Sequence, residues 1–261
     1  MSGNKMRLSI MLCTALAFVF TAFIGCSRCA FLAEELVLEE PAVTSDPTKA
    51  GEKSIAIGGS SFLCTYDGSN RVSDYYRTGE NGFIIVDPET GEIYGFADVS
   101  PFERIEGAAS LADDALISAV KERIAPLANT QRYNETKIDR HAGKGEEGSE
   151  MVVELHRSID GIETFDTVIV RLSASGDIIR FSKAEGFPDD LEALSIPDNE
   201  RDRLIKQIIE AKLGGREPGE MVISEGKLTM HKGEPAMIYY VTLTENSGEY
   251  LDTVPIVIFR K

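Results

Sequence analysis

The stretch Phe165-Asp-Thr-Val-Ile-Val-Arg171 is echoed later in the chain by Leu251-Asp-Thr-Val-Pro-Ile-Val257. Both runs are rich in β-branched residues, which favours a strand in each. They lie about 86 residues apart, a period longer than that of the usual solenoid repeats. The echo therefore indicates a tandem duplication of a small unit, and a chance likeness between two generic strands is the alternative.

The residues around each stretch predict the same order of elements, a helix followed by strands. Ser110 is a good N-cap for an amphipathic helix that Pro126 ends. Asp198 or Asn199 caps a second amphipathic helix, which Gly214 and the glycine after it terminate. Because strands follow each helix, we predict an α+β fold made of tandem units, each a helix lying across an antiparallel sheet.

Strand patterns also precede the first helix, so a β-hairpin-rich segment is predicted before the tandem units. Its clearest signal is the Pro- and Gly-containing turn of residues 87–92 between two apolar runs. The predicted strands are residues 55–57, 62–66, 72–76, 82–86, 93–96, 133–139, 150–157, 164–172, 178–181, 220–229, 235–243 and 250–259. The chain thus divides into an export segment (1–29), a flexible acidic linker (30–54), the hairpin segment with the first unit (55–186), and the second unit (187–261).

Residues 110–181 resemble the PepSY-type domain of secreted bacterial proteins. The matching pieces are a Gly-x-x-x-Phe segment at 161–165, an alternating Val/Ile strand at 168–172, and a glycine turn at 176–179. The second unit is similar in element order but lacks the closing glycine turn. The resemblance implies PepSY/cystatin-like units that bind peptides, or that bind or restrain peptidases of the cell envelope, without catalytic residues of their own.

The first 29 residues have the layout of a secretory signal. Lys5 and Arg7 precede an apolar run from Leu8 to Gly25 that contains no charge. The end of this run, Phe-Ile-Gly-Cys26, resembles the lipobox of bacterial lipoproteins, in which the cysteine receives the lipid. We therefore predict an extracytoplasmic protein anchored by a lipid on Cys26. Cleavage by an ordinary signal peptidase, giving a secreted protein, and an uncleaved N-terminal anchor helix are the alternatives.

Two further cysteines remain once Cys26 is assigned to the lipid. Cys26 and Cys29 form a C-x-x-C pair, but its place at the end of an apolar export signal disfavours a redox role. In an oxidising compartment Cys29 and Cys64 are then a possible disulfide.

The net charge and the absence of known motifs exclude several classes of function. The chain has 27 basic against 43 acidic residues, a net charge of -16, which repels nucleic acid. His141, His156 and His231 lack the close spacing of zinc ligands. His156 alternates with Glu154 on a predicted strand, which indicates a solvent-facing side chain. No serine-nucleophile or phosphate-binding motif occurs, so we expect no cofactor, no metal and no enzyme activity.

The predicted function is a non-catalytic binding or peptidase-regulating module whose partner is an envelope peptidase, a peptide or another envelope protein. Exposed strand edges, or the sheet face without a helix, are the expected docking sites. A secreted hydrolase with an unrecognised carboxylate/histidine site is one alternative. A structural envelope protein, with Tyr239, Tyr240 and Tyr250 as a contact surface, is another.

Overall fold

The computed structural model describes residues 31–36, 43–44, 46–70, 72–140, 150–184, 186–214 and 218–260. The export segment, with Cys26 and Cys29, and His141 lie outside these ranges, so the predictions made for them stay predictions.

The described residues form fourteen β-strands and two α-helices. The strands are β1 (Phe31–Glu35), β2 (Glu52–Ile57), β3 (Ser60–Ser69), β4 (Asp74–Thr78), β5 (Gly82–Val86), β6 (Ile93–Ala97), β7 (Glu135–Asp139), β8 (Met151–Ile159), β9 (Ile162–Leu172), β10 (Ile178–Lys183), β11 (Glu220–Ile223), β12 (Lys227–His231), β13 (Glu234–Thr244) and β14 (Tyr250–Arg260). The helices are α1 (Asp113–Ile124) and α2 (Asp198–Leu213), and 3-10 turns lie at Pro47–Lys49, Ala108–Ser110 and Thr130–Arg132.

All fourteen strands belong to one mixed sheet. Its main path runs β1-β14-β13-β12-β9-β10-β6-β5-β4-β3-β2, with β11 also paired to β13, β8 to β9, and β7 to β8. The pairings are antiparallel except that of β12 with β9, where Leu228 lies opposite Thr164. This single parallel contact joins the strands around α2 to the strands around α1.

The predicted α+β fold of tandem PepSY/cystatin-like units is therefore wrong. Strands account for 48% of the structure and helices for 17%. Most strands were placed correctly along the chain, but the strands of the two predicted units continue into one sheet through β12 and β9. The echoed stretches also occupy different places, since β9 is flanked by β8, β10 and β12 whereas β14 lies between β1 and β13. Element order alone carries no information about such long-range pairing.

The two helices cover apolar sheet surface as their sequence patterns predict. Leu116, Val120 and Ile124 of α1 are fully buried against the larger core. The buried side chains of α2, with those of β13 and β14, form a second core: Leu204, Ile205, Ile208, Ile209, Met237, Tyr239, Val241, Val254, Ile256 and Ile258. Gly214 ends α2 in the left-handed conformation at φ 59°, which confirms its predicted capping role.

Ser110 is not the N-cap of α1. It lies in the preceding 3-10 turn, where its hydroxyl donates to the Gly107 carbonyl at 2.9 Å, and the helix begins only at Asp113. The residue at the cap position is Ala112, whose side chain makes no capping hydrogen bond. A short extra turn therefore moved the start of the helix by two residues, within the usual uncertainty of helix boundaries.

Part of the predicted linker, residues 30–54, is not a linker. Phe31–Glu35 forms β1, an edge strand that pairs antiparallel with β14, and β2 begins at Glu52. The sequence of β1 hides this role because Glu34 is buried by charged partners distant in sequence. An acidic composition predicts exposed side chains, so it wrongly indicated a flexible linker at Phe31–Glu35.

Strands β12–β14 with β1 have one face under α2, and among the described residues no helix lies on their other face, which we call the helix-free face. Because side chains alternate along a strand, Ala236, Ile238 and Val257 point away from the α2 core and form a third apolar cluster with Leu36. The cluster is surrounded by half-buried aromatic side chains: Phe165, Tyr240 and Phe259.

Candidate binding surface

The two ends of β14 are built differently. Along one side it pairs with β13 throughout, whereas on the other side β1 covers residues 256–260 only, followed by a Leu36 amide that donates to the Pro255 carbonyl at 2.8 Å. We call this covered part, with β1 and the turn 231–234, the closed end. Among the described residues no strand lies on the outer side of residues 250–254. We call these residues, with β11 across β13, the open end.

Buried charges fix β1 at the closed end. The Glu34 carboxylate is almost fully buried and accepts two hydrogen bonds from Lys232 Nζ, at 2.8 and 2.9 Å. Lys232 occupies the turn between β12 and β13 at φ 53°, so the turn geometry aims this lysine at β1. Glu35, on the other face, pairs with Lys212 at the end of α2. β1 is thus held by ion pairs on both of its faces.

His231 lies in the same buried corner. Its ring is 4.9 Å from the Phe259 ring between centroids, and its Nε2 is 3.3 Å from a Glu34 carboxylate oxygen, without hydrogen-bond alignment. Burial lowers the pKa of His231, and the nearby Glu34 charge opposes that effect only in part. The neutral imidazole is therefore the form that fits this corner.

The open end exposes a group of large apolar side chains. Of the eight large apolar residues exposed in the described part of the chain, four are here: Met221, Val222, Tyr250 and Leu251. Met221 is opposite the buried Leu243 and so lies on the α2 face, whereas Val222 and Tyr250, opposite Thr242 and Thr244, lie on the helix-free face. The two pairs also lie on the two sides of β13. Two strand spacings, about 10 Å, separate them. Exposed apolar side chains that lie near one another on a solvent-facing surface are a feature of interaction sites.

Acidic side chains surround this group. Glu220, Glu245 and Glu249 are exposed beside it, and Asp252 lies between Leu251 and Thr253 on β14. Lys212 is the basic neighbour that Asp252 contacts, at 3.2 Å, and it is shared with Glu35. The electrostatic field at the open end is therefore negative and favours a cationic partner.

The outer edge of β14 is poorly suited to strand addition. Pro255 has no amide hydrogen, and its carbonyl faces β1, so residue 253 faces outward as well. The Thr253 amide is already taken by the Asp252 carboxylate at 2.8 Å. Proline and charged residues are devices that protect edge strands from added strands. A partner at the open end would therefore be recognised mainly through side chains.

His156 is buried, so the prediction that it faces solvent is wrong. It lies on β8 between two paired strands, opposite Glu135 of β7 and Thr167 of β9. Its Nε2 is 3.0 Å from Glu154, and its Nδ1 is 3.8 Å from Glu163. In the described part of the chain its hydrogen-bond partner is thus a carboxylate and not a hydroxyl or thiol. Among the described residues, the arrangement therefore contains no activated hydroxyl or thiol nucleophile.

A second buried polar cluster surrounds Asp166, the aspartate of the first echoed stretch. Its side chain is fully buried and accepts hydrogen bonds from Arg132 at 2.8 Å, Tyr133 at 3.0 Å and Arg157 at 3.3 Å. Arg157 also donates to the backbone carbonyls of residues 188 and 189, at 2.7 and 2.6 Å. Burial raises the pKa of Tyr133, so its hydroxyl remains a donor. The cluster fastens the connection before α2 to the first half of the sheet.

This cluster could not be predicted from local sequence patterns, because its members are spread along the chain from Arg132 to Asp189. The one available hint was the repeated Asp-Thr pair. Its two copies behave oppositely, since Asp166 is fully buried and Asp252 is partly exposed. The echo is therefore one of strand composition and not of a shared site.

The remaining predicted site residues are placed as follows. Cys64 is buried in the larger core, burial raises the pKa of its thiol, and its predicted partner Cys29 lies outside the described residues. Of the three tyrosines predicted as a contact surface, Tyr239 is buried under α2, Tyr240 is half-buried on the helix-free face, and Tyr250 is exposed.

Within the described ranges, no three His, Cys, Asp or Glu side chains converge as a metal site would require. The same ranges contain no helix with the length and apolar character needed to cross a membrane. No protein-family model matches the chain, and no curated protein or solved structure is significantly similar to it.

Proposed function

We propose that the protein is exported, anchored to the membrane by a lipid on Cys26, and acts in the cell envelope as a non-catalytic binding module. The observation that carries the binding role is the open end, where four of the eight exposed large apolar side chains of the described residues lie among acidic residues. The export signal and lipobox pattern of residues 1–29 support the location.

The chemistry of the open end defines the partner. Met221, Val222, Tyr250 and Leu251 offer apolar contact area, and burying such side chains supplies most of the energy of a binding hot spot. The acidic residues select a partner whose apolar segment is flanked by lysine or arginine. The partner is therefore a segment of this composition in another envelope protein, an envelope peptidase included.

The buried histidines support a binding role over a hydrolase. A carboxylate/histidine site requires a nucleophile or a water-activating base open to substrate. His156 and His231 are both buried, and each has carboxylates as its nearest polar neighbours. Both rings are packed inside the sheet, where neither is open to a substrate.

Site-specific photo-crosslinking tests the binding role in cells that express the full-length protein. A benzophenone amino acid is placed at Tyr250, and the matched control carries it at Leu63, which is exposed to a similar degree (63% against 67%) but lies on β3 opposite Ser54. We expect an adduct with another envelope protein from position 250 only. The crosslinked peptide should be apolar with flanking basic residues.

Charge reversal then separates specific binding from chance capture. Glu245→Lys and Glu249→Lys reverse two of the four acidic charges without changing the apolar residues, so the position-250 adduct should fall several-fold while expression is unchanged. An adduct that is insensitive to both changes, an adduct formed equally from position 63, or an adduct with a second copy of this chain would overturn the proposal.

A further inference from the structure

The separation between Cys26 and the sheet determines how the protein would stand on the membrane. Phe31, the first residue of β1, is only five residues beyond Cys26. A fully extended chain of that length spans at most about 18 Å. If the lipid is on Cys26, as proposed above, the start of β1 cannot be farther than this from the bilayer surface.

β1 itself cannot serve as a tether. It makes five register pairs with β14, its Glu34 is buried against Lys232 and His231, and Leu36 behind it is buried in the third apolar cluster. Releasing the strand would leave these charges and apolar groups without their partners, which is strongly unfavourable. The anchor is therefore connected to the rigid sheet by a short segment and not by a long linker.

The direction of β14 then sets the orientation of the second half of the sheet. Phe31 is paired with Arg260 at the closed end, whereas Tyr250 begins β14 at the other end. Eleven strand residues extend roughly 34 Å. The exposed basic side chains of the closed end, Lys232 and Arg260, lie on the anchored side, whereas the open end is acidic.

We propose that the protein stands on the membrane with its closed end next to the lipid headgroups and its open end directed away from them. The acidic open end is repelled by anionic headgroups, whereas at the closed end the exposed Arg260 meets them and Lys232 is paired with Glu34. This inference rests on the proposed lipid anchor. It places the partner-binding group roughly one strand length from the bilayer, where a protein rather than a lipid reaches it.

The experiment measures fluorescence quenching of the full-length lipidated protein in vesicles of phosphatidylcholine and phosphatidylglycerol that carry a nitroxide-labelled headgroup. A fluorophore is attached to Glu234→Cys or to Ser247→Cys, which lie in exposed turns at opposite ends of β13, in a Cys29→Ser background. Cys64 is buried and so is a poor target for labelling. Quenching should be several-fold stronger at position 234 than at position 247.

A variant with a Gly/Ser insertion directly before Phe31 is the control. An insertion of about 20 residues adds an r.m.s. reach of roughly 25 Å, so it should abolish the difference between the two labels while leaving the protein on the vesicles. Equal or reversed quenching in the vesicle-bound parent protein would overturn the orientation. Failure of the parent protein to bind vesicles, or equal binding of its Cys26→Ser variant, would instead overturn the lipid anchor on which the inference depends.

Discussion

The two ends of β14 belong to one strand, yet one end is closed and the other is open. At the closed end β1 covers the strand, Glu34 is buried between Lys232 and His231, and Ile258 is fully buried under α2. At the open end the strand is irregular, with a register shift after Leu243, and exposes Tyr250.

This difference indicates that one end of β14 stabilises the fold and the other end is available for binding. Side chains at the closed end are held by several partners each, so changing them affects folding. Side chains at the open end have few internal contacts to lose, so changing them should affect binding alone. The fold does not require exposed apolar side chains at the open end, so a role in binding is the better explanation for them.

The largest expected difference concerns apolar truncation. Ile258→Ala removes a fully buried side chain and should lower the free energy of unfolding by about 2–5 kcal/mol. Leu251→Ala removes an exposed side chain seven positions earlier and should change it by no more than about 0.5 kcal/mol. Urea titration of both variants measures their free energies of unfolding. Equal decreases would contradict the proposed difference between the two ends of β14.

A smaller difference is expected for the charged residues of the two ends. Glu34→Gln removes the buried negative charge that accepts two hydrogen bonds from Lys232, and should cost about 1–3 kcal/mol, discounted because Lys232 is half exposed. Asp252→Asn breaks a partly exposed pair with Lys212 and should cost about 0–1 kcal/mol. Thermal unfolding of both variants gives the comparison. A larger loss for Asp252→Asn would mean that β1 is not the strand that secures this side of the sheet.

The smallest effect is a pH dependence at the closed end. Burial lowers the pKa of His231 below its ordinary value of 6.5, so the unfolded chain binds this proton more readily than the fold does. The contribution of His231 is fully present above pH 6.5 and is lost as the pH falls through the lower folded-state pKa. His231→Gln should therefore flatten the stability profile between about pH 7.5 and about pH 5.

Chemical denaturation at each pH measures that profile. Lys232, Glu34 and Phe259 surround the imidazole. The control is Lys232→Gln, which keeps the histidine and its burial, the largest cause of the lowered pKa, and should therefore keep most of the slope. A slope that survives His231→Gln would assign the effect to another group.

Local elements could be predicted from the sequence. The strand at 82–86 and both helices follow from alternating or helical apolar spacing and from turn chemistry such as Gly214 at the end of α2. These signals lie within a few residues of each other, so local sequence is enough to predict them.

The sheet topology and the candidate site could not be predicted in the same way. The β12–β9 contact and the β1–β14 pairing join residues far apart in sequence, and Glu34 looks solvated until Lys232 and His231 are placed beside it. Of the three tyrosines predicted as a contact surface, only Tyr250 lies at the candidate site. The others at the site could not be predicted, because the alternation of side chains along a strand does not show which end of the strand lacks a neighbouring strand.

Hydrogen exchange along β14 in the full chain tests the contrast between its two ends most directly. The amides of Val257 and Phe259 face β1 by register and should exchange slowly, close to the global unfolding rate. The Thr253 amide, whose partner is only the neighbouring Asp252 side chain, should exchange orders of magnitude faster. Uniform protection from residue 253 to residue 259, or fast exchange at Val257, would contradict a strand that is closed at one end and open at the other.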